Sequence, residues 1–294
     1  MPFFEKEKLL LIHIPKTGGT SVEKYLANRC AIDLNVDSLY HRYYEENIEN
    51  EFDYWKKTWK QKMSSIQADL EKQQINNLQR KRHNSLINED SSNDGEQLQQ
   101  MKENMPEYKT FKKIRLCKEL KHSLQHMTWT EMCSHKQLLF EQKYWKVLSS
   151  HGYERDEYKI ITIVRNPYDR IISELLFRGV LTNQTFQDQT IVCNKIKKYL
   201  QSYDHFDNHK LPQYLFLIDD AGDLIQNLII LRTETLTQEM QHLGYIDFNH
   251  NFQVSKCRFP CGKTKYSKAL NQEAIKIINN YYKRDFELFD YDFL

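Results

Sequence analysis

The fold of this chain is decided by the stretch His-Ile-Pro-Lys-Thr-Gly-Gly-Thr-Ser at residues 13–21. An apolar run at residues 9–12 precedes it, and a run with helical character begins at Val22. This order predicts a buried strand, a tight loop and the start of a helix. Two adjacent glycines allow positive φ angles and let the backbone N–H groups approach a ligand closely.

The same loop carries the groups that an anion site needs. The N-terminus of a helix offers unpaired N–H groups and the positive end of the helix dipole. The side chains add a mobile positive charge and three hydroxyl groups: Lys16, Thr17, Thr20 and Ser21. We expect Lys16, Thr17, Gly18, Gly19, Thr20 and Ser21 to hold a phosphate or a sulfate. The loop is not a Walker A motif, because its lysine precedes both glycines. An ordinary glycine-rich turn would lack the surrounding lysine and hydroxyls.

A second motif follows another predicted strand. The β-branched run at residues 160–164 ends in Arg165, and Asn166 before Pro167 is a typical helix start. Ligands of open α/β sheets bind at the carboxyl ends of strands, so Arg165 is expected on the same rim as the Lys16 loop. Ser173 would lie about two turns into the following helix. The planar guanidinium group of arginine suits a phosphate. The alternative is that Arg165 and Arg170 form structural ion pairs.

Together the two motifs resemble those of the sulfotransferases that use 3′-phosphoadenosine 5′-phosphosulfate as donor. The form of the first loop is similar to the glycan-type branch, which includes heparan sulfate 2-O-sulfotransferase. The resemblance extends from about residue 9 to residue 291, with an interruption. It implies that the first loop binds the 5′-phosphosulfate and that Arg165 and Ser173 bind the 3′-phosphate. It also implies that Lys16 neutralises charge during the transfer.

Sulfuryl transfer also requires a general base, and histidine is the usual choice near neutral pH. In the related sulfotransferases a histidine at the end of a short strand, just before a helix, lies between the two nucleotide motifs. His126 matches that position, with Thr128 and Glu131 as a possible capping box. His122 is a rival, and some relatives use a glutamate, so the identity of the base stays open.

The resemblance also implies residues on the acceptor side and a closing loop. His209 and Gln213 match a His-x-x-Pro-Gln segment whose histidine and glutamine approach the acceptor. That segment is expected to lead into a strand at residues 214–218, a turn and a second strand at residues 224–231. Lys263 and Lys265 lie in a basic loop of the kind that closes over the nucleotide. For each lysine, a solvated surface charge is an equal alternative.

Composition limits the choice of partners and compartment. The formal net charge is +2, so the overall charge gives no reason to expect nucleic acid or membrane as a partner. No run is long and apolar enough for a membrane-spanning helix, and residues 1–8 do not form a signal peptide. The expectation is a cytoplasmic or otherwise soluble enzyme, with a secretory lumen possible only if an anchor is missing. The six cysteines are expected to be mostly reduced. The one close pair, Cys257 and Cys261, stays open between free thiols, a small disulfide loop and half of a metal site.

Residues 45–120 differ in character from the rest. They are rich in Lys, Gln, Glu and Asn, and a polar stretch at residues 89–95 separates two helix-forming segments. We expect a helical hairpin inserted into the α/β domain. Aromatic residues near its start, among them Phe52 and Trp59, fit either a sugar-binding groove or a helix core.

The sequence therefore predicts an α/β fold with a P-loop-like three-layer core and a central, mostly parallel sheet. A single sulfotransferase domain would span residues 1–294 and contain the helical insertion. The donor would be 3′-phosphoadenosine 5′-phosphosulfate and the acceptor a hydroxyl group, expected on a carbohydrate, with no metal required. Two alternatives are a P-loop-type small-molecule or nucleotide kinase and a catalytically inactive nucleotide-binding interaction protein. The acceptor itself and the oligomeric state are left open.

Overall fold

The computed structural model describes residues 3–34, 47–83, 105–135, 158–203, 207–250 and 266–294. The chain divides into two compact units, one made of residues 1–40 and 122–294 and the other of residues 41–121. The strands are β1 (Phe3–Phe4), β2 (Leu9–Ile12), β3 (Lys159–Val164) and β4 (Leu228–Arg232). The helices are α1 (Gly19–Cys30), α2 (Ile48–His83), α3 (Pro106–Leu120), α4 (Trp129–Ser134), α5 (Pro167–Phe177), α6 (Gln189–Gln201), α7 (Leu236–His242), α8 (Gln272–Tyr281) and α9 (Lys283–Leu288).

The first unit is built on one sheet with the strand order β1-β2-β3-β4. β1 pairs antiparallel with β2, whereas β2, β3 and β4 are parallel to one another. Leu10 lies opposite Ile160, which in turn lies opposite Leu228. Nearly continuous apolar runs suit parallel strands that are covered on both faces. The α/β class and the mostly parallel central sheet are confirmed, and the strand predictions at residues 9–12 and 160–164 hold.

The described residues of this unit include two apolar clusters. In one of them α1 and α7 pack with alternate strand residues, among them Leu9, Leu11 and Ile161. The other joins α5, α6, α8 and α9 around Ile172, Leu175 and other buried residues. The P-loop-like three-layer arrangement itself stays a prediction.

Two local predictions for this unit are wrong. Residues 213–216 form a 3₁₀ turn instead of a strand, because the buried Asp285 carboxylate accepts the N–H groups of Gln213 and Tyr214 at 2.8 and 2.9 Å. The strand that follows is Leu228–Arg232. His126 likewise ends a 3₁₀ turn, Leu124–His126, and not a short strand. The capping box of Thr128 and Glu131 at the start of α4 is present as predicted.

The second unit contains α2 and α3, which pack through aromatic side chains. The ring of Phe111 lies 5.4 Å from that of Phe52 and 5.6 Å from that of Trp59. Phe52 and Trp59 therefore belong to the contact between the two helices. Residues 84–104, where the connection of the predicted hairpin falls, lie outside the described residues, so the hairpin stays a prediction.

None of the described helices combines the length and the apolar character needed to span a membrane.

Candidate active site

The ends of the parallel strands bring the two sequence motifs together. The Arg165 guanidinium Nη1, just after β3, donates a hydrogen bond to the backbone oxygen of Lys16 at 3.2 Å. The Thr233 hydroxyl, just after β4, donates to the backbone oxygen of Val164 at 3.0 Å and also contacts that of Thr17. The two motifs thus share one rim, as expected for the carboxyl ends of neighbouring parallel strands.

The loop between β2 and α1 has the backbone of an anion site. Lys16 and Gly18 have φ angles of 68° and 94°, which turn the chain sharply before the helix. Gly18 is the N-cap of α1, and no side chain caps the helix there. The N–H groups in the first turn of a helix are mostly without partners within it, and in α1 they directly follow the loop that carries Lys16.

The three hydroxyl groups of this loop differ in their partners. Thr17 is buried and donates to the Ile14 carbonyl at 2.8 Å, while Ser21 donates to the Gly18 carbonyl at 2.6 Å. Both hydroxyls stabilise the shape of the loop. Thr20 is exposed, at the first turn of α1. Among the three predicted hydroxyl ligands, Thr20 is therefore the most accessible.

Three buried polar residues next to the loop form hydrogen bonds with one another: His13, Glu23 and Gln125. His13 Nδ1 lies 2.7 Å from a Glu23 carboxylate oxygen, and the Gln125 amide donates to the other oxygen at 2.6 Å. Burial alone would raise the pKa of Glu23, but the charge and hydrogen bond of His13 lower it below its usual value. A Cβ atom on Gly19 would lie 3.0 Å from the His13 ring. The His13 ring therefore limits how closely the first residue of α1 can approach it.

Lys16 is held on an aromatic ring in this structure. Its ammonium group lies 3.9 Å from the ring centre of Phe177 at the end of α5. Burial lowers the pKa of Lys16 to about 8, the positive charges of Arg165 and Arg178 act in the same direction, and Glu174 opposes them. The group is therefore a cation at neutral pH that has lost part of its hydration. Such a charge is well suited to stabilise an anion.

Arg165 is positioned by the residue that was expected to contact the acceptor. The Gln213 side chain accepts from the Arg165 backbone N at 2.8 Å and donates to the Arg165 backbone O at 2.9 Å. Gln213 is fully buried and also reaches Asp285, so in this conformation it presents no surface to an acceptor. The structure instead gives Gln213 a role in fixing Arg165. Ser173, on α5, is partly exposed.

His126 is paired with a carboxylate. Its Nδ1 lies 3.0 Å from an Asp207 oxygen, and the same carboxylate accepts from the backbone N and the hydroxyl of Ser123. These hydrogen bonds lower the pKa of Asp207 to about 2, although burial alone would raise it. Burial lowers the pKa of His126 to about 4, and the neighbouring His209 and His13 act in the same direction. His126 is thus neutral at pH 7, and its Nε2 is the nitrogen left to accept a proton.

His209 forms a second pair of this kind, with Glu174 on α5. Its Nδ1 lies 2.6 Å from Glu174 Oε2, and Glu174 also pairs with Arg178. Burial alone would raise the pKa of Glu174, but His209 and Arg178 lower it to about 2. The imidazole of His209 meets that of His126 edge-on at 4.7 Å and stacks on Phe177 at 6.0 Å. Lys16, Phe177, His209 and His126 therefore form one continuous chain of contacts.

The rival base, His122, is less well placed. Its Nδ1 lies 3.0 Å from the Ser123 carbonyl and its Nε2 lies 2.9 Å from Glu131. Both ring nitrogens are engaged, and Glu131 also closes the capping box of α4. Burial alone would lower the pKa of His122, but the hydrogen bond and the charge of Glu131 raise this pKa above its usual value. His122 and Glu131 therefore stabilise the start of α4, whereas His126 keeps one nitrogen available.

Several residues packed around the site had no role in it in the sequence-based prediction: Arg170, Glu174, Asp207, His250 and Asp285. Arg170 is buried and donates to the carbonyl groups of Pro15, Leu211 and His209 at 2.9–3.0 Å. It joins the donor loop to the His209 segment. A signal was present for two of these residues, because Arg170 and Glu174 lie four positions apart on the buried face of α5. Charged residues on such a face require partners.

Other predicted residues cannot be placed. Lys263, Lys265, Cys257 and Cys261 lie outside the described residues. Cys30 and Cys193 are buried and carry free thiols.

The described residues contain one group with the spacing of a metal site. Ligand atoms of His126, Asp207 and His209 lie within 4.8 Å of one another. Hydrogen bonds to Asp207 and Glu174 already account for the orientation of both imidazoles. That the chemistry needs no metal stays a prediction.

Comparison with known proteins identifies the family. Residues 2–292 match the sequence model described as the sulfotransferase family, so the match includes both motifs and all four strands. No curated protein and no solved structure shows significant similarity to the chain.

Proposed function

Because the chain belongs to the sulfotransferase family and is thus an enzyme of sulfuryl transfer, we propose its two substrates. The donor is 3′-phosphoadenosine 5′-phosphosulfate, and the acceptor is a hydroxyl group on a carbohydrate. The observation that carries the donor proposal is the hydrogen bond between Arg165 and the Lys16 backbone, which brings together the two motifs that we propose to bind the phosphate groups. The form of the loop at residues 13–21 supports the glycan-type acceptor. Family membership sets aside the kinase and the inactive binding protein.

The donor groups have distinct tasks. The first turn of α1 and the exposed Thr20 bind the 5′-phosphosulfate, while Arg165 and Ser173 bind the 3′-phosphate. When bound, the donor supplies a sulfuryl group on a phosphate leaving group. Lys16 leaves the Phe177 ring and neutralises the negative charge that develops on the leaving phosphate.

His126 serves as the general base. Asp207 holds its Nδ1–H, so Nε2 accepts the proton of the acceptor hydroxyl as the new oxygen–sulfur bond forms. The bond between sulfur and the nucleotide phosphate oxygen breaks in the same transfer. His126 later releases the proton to water. His209, beside His126, contacts the acceptor.

Calorimetry with 3′-phosphoadenosine 5′-phosphate, ADP and ATP tests the donor proposal. Wild type should bind the first nucleotide selectively, and Arg165→Ala should weaken that binding by about tenfold or more. The control is Arg29→Ala, since Arg29 is exposed at the far end of α1 and pairs with Glu7. Preference for ATP, or no effect of removing the 3′-phosphate, would overturn the proposed donor.

The acceptor class is tested by a screen with the labelled donor. Desulfated glycans should accept the label, while tyrosine peptides and small alcohols should not. Transfer only to a peptide or a small alcohol would contradict the carbohydrate proposal and leave the donor proposal intact.

A further inference from the structure

His250 lies against the donor loop, although 229 residues separate it from Ser21 in the sequence. Its Nδ1 is 2.7 Å from the Ser21 hydroxyl oxygen. Its Cε1 is so close to Gly18 that a Cβ atom there would lie 3.0 Å away. The backbone N of His250 donates to the Thr237 hydroxyl on α7 at 3.1 Å, which fixes the backbone of His250. The imidazole is thus held at the first turn of α1, where the loop offers its N–H groups.

The hydrogen-bond pattern decides which ring nitrogen is available. A hydroxyl group has one proton, and Ser21 directs its proton to the Gly18 carbonyl. The Ser21 oxygen must therefore accept from His250, so Nδ1 carries a hydrogen. In the neutral ring Nε2 is then the basic nitrogen. Protonation of Nε2 would create a new, charged donor without disturbing the bond to Ser21.

The surroundings of His250 favour the neutral ring when no anion is present. Within the described part of the chain, Arg165 is the charged group that acts on it. Burial lowers the pKa of His250, and the positive charge of Arg165 lowers it further. No carboxylate on α1 or α7, the described helices that contact His250, opposes this effect. An anion bound between His250 and Arg165 would instead raise the pKa of His250 and favour the charged ring.

We propose that His250 is a further residue of the donor site and that its Nε2 binds an anionic group of the nucleotide beside Ser21 and Arg165. This inference rests on the proposed donor. The imidazole would take up a proton from solvent as the nucleotide binds, so that both His250 and Arg165 face the anion as cations. Nucleotide affinity would then decrease as the pH rises, because the proton must be supplied from solution.

The test is calorimetry of 3′-phosphoadenosine 5′-phosphate in two buffers that differ in their heat of ionisation. At pH 7, wild type should take up roughly one more proton per bound nucleotide than His250→Gln takes up. Lys16 is already mostly protonated at this pH, since its pKa is about 8, and adds little. His250→Gln keeps a polar group for Ser21 and should bind about tenfold more weakly at pH 6.5 than wild type. The two proteins should converge toward pH 8.5.

One control variant and three possible results decide whether His250 belongs to the donor site. His242→Gln, an exposed histidine at the end of α7, should behave as wild type. Equal affinity and equal proton uptake in wild type and His250→Gln would overturn the inference and leave the donor proposal standing. Uptake of less than about 0.2 proton by wild type alone would also overturn it, whether or not the variant folds. A wild type that binds no 3′-phosphoadenosine 5′-phosphate would instead refute the donor proposal itself.

Discussion

Lys16 shows how a single residue acquires its chemistry from its neighbours. Sequence analysis identified it from its place before two glycines, and the structure adds the Phe177 ring and the positive charges of Arg165 and Arg178. These neighbours come from α5 and from the end of β3, so the loop sequence alone could not indicate a lowered pKa. The ammonium group of Lys16 therefore loses its proton at a lower pH than that of an ordinary lysine.

This lowered pKa predicts the pH dependence of catalysis. Lys16 must be charged to stabilise the leaving phosphate, and its charge is lost as the pH rises through about 8. We expect kcat/KM for the donor to fall above pH 8, by roughly tenfold per pH unit, since this ratio reports the free enzyme. Lys16→Arg, which stays charged, should abolish the fall, whereas Lys24→Arg on α1 should retain it. The same fall in Lys16→Arg would show that another group titrates.

Asp207 is predicted to matter for turnover more than for donor binding. It orients His126 through Nδ1, and without the carboxylate the imidazole can adopt the wrong tautomer. Asp207→Asn should lower kcat by about 100-fold or more and leave the affinity for 3′-phosphoadenosine 5′-phosphate unchanged. Steady-state kinetics and calorimetry measure the two quantities, and Asp220→Asn, an exposed residue, is the control. A kcat within about twofold of wild type would assign the base elsewhere.

At the scale of elements, short apolar runs and helix-start signals were sufficient to predict β2, β3 and the starts of α1 and α5. The predicted strand at residues 214–218 failed for a physical reason. Asp285, about 70 residues later in the chain, accepts the N–H groups that a strand would have paired with a neighbour. The His126–Asp207 and His209–Glu174 pairs were not predicted for the same reason. Each depends on packing between distant segments, which no local pattern encodes.

The donor loop offers a prediction with a matched control. Gly18 and Gly222 have φ angles of 94° and 84°, so alanine is strained at both, by roughly 1–2 kcal/mol. A Cβ atom at Gly18 would meet the His250 ring at 3.0 Å, whereas no atom of the described residues lies within 4 Å of one at Gly222. Gly18→Ala should therefore weaken binding of 3′-phosphoadenosine 5′-phosphate at least about tenfold, and Gly222→Ala should leave it unchanged. Calorimetry measures the affinities, and equal affinities would show that the loop adapts freely.

At the scale of the whole molecule, buried histidine–carboxylate pairs link folding to pH. His126 has a pKa of about 4 when folded and an ordinary value of 6.5, so the unfolded chain binds its proton more readily. The free energy of unfolding should fall as the pH decreases from 6.5 toward 4, by about 3 kcal/mol from this residue. Glu174 and Asp207, with pKa values of about 2, add stability that is present above their ordinary pKa values and lost as the pH falls toward 2.

Thermal unfolding between pH 7 and pH 4 checks this expectation. His126→Gln should reduce the fall in the free energy of unfolding between pH 6.5 and pH 4 by about 3 kcal/mol, because glutamine does not titrate. His242→Gln should leave the slope as in wild type, since that histidine is exposed. An unchanged slope in His126→Gln would mean that His126 is already charged in the folded state.

Helix α5, eleven residues from Pro167 to Phe177, has a consequence for how such a chain can evolve. Arg170, Glu174 and Phe177 lie on it, and they respectively tether the donor loop, hold His209 and carry Lys16. Each residue added to or removed from a helix rotates everything beyond it by about 100°. A single insertion or deletion before Arg170 would therefore separate all of these contacts at once, whereas a substitution alters one of them. A change in the length of α5 should accordingly be tolerated less well than a change in one of its side chains.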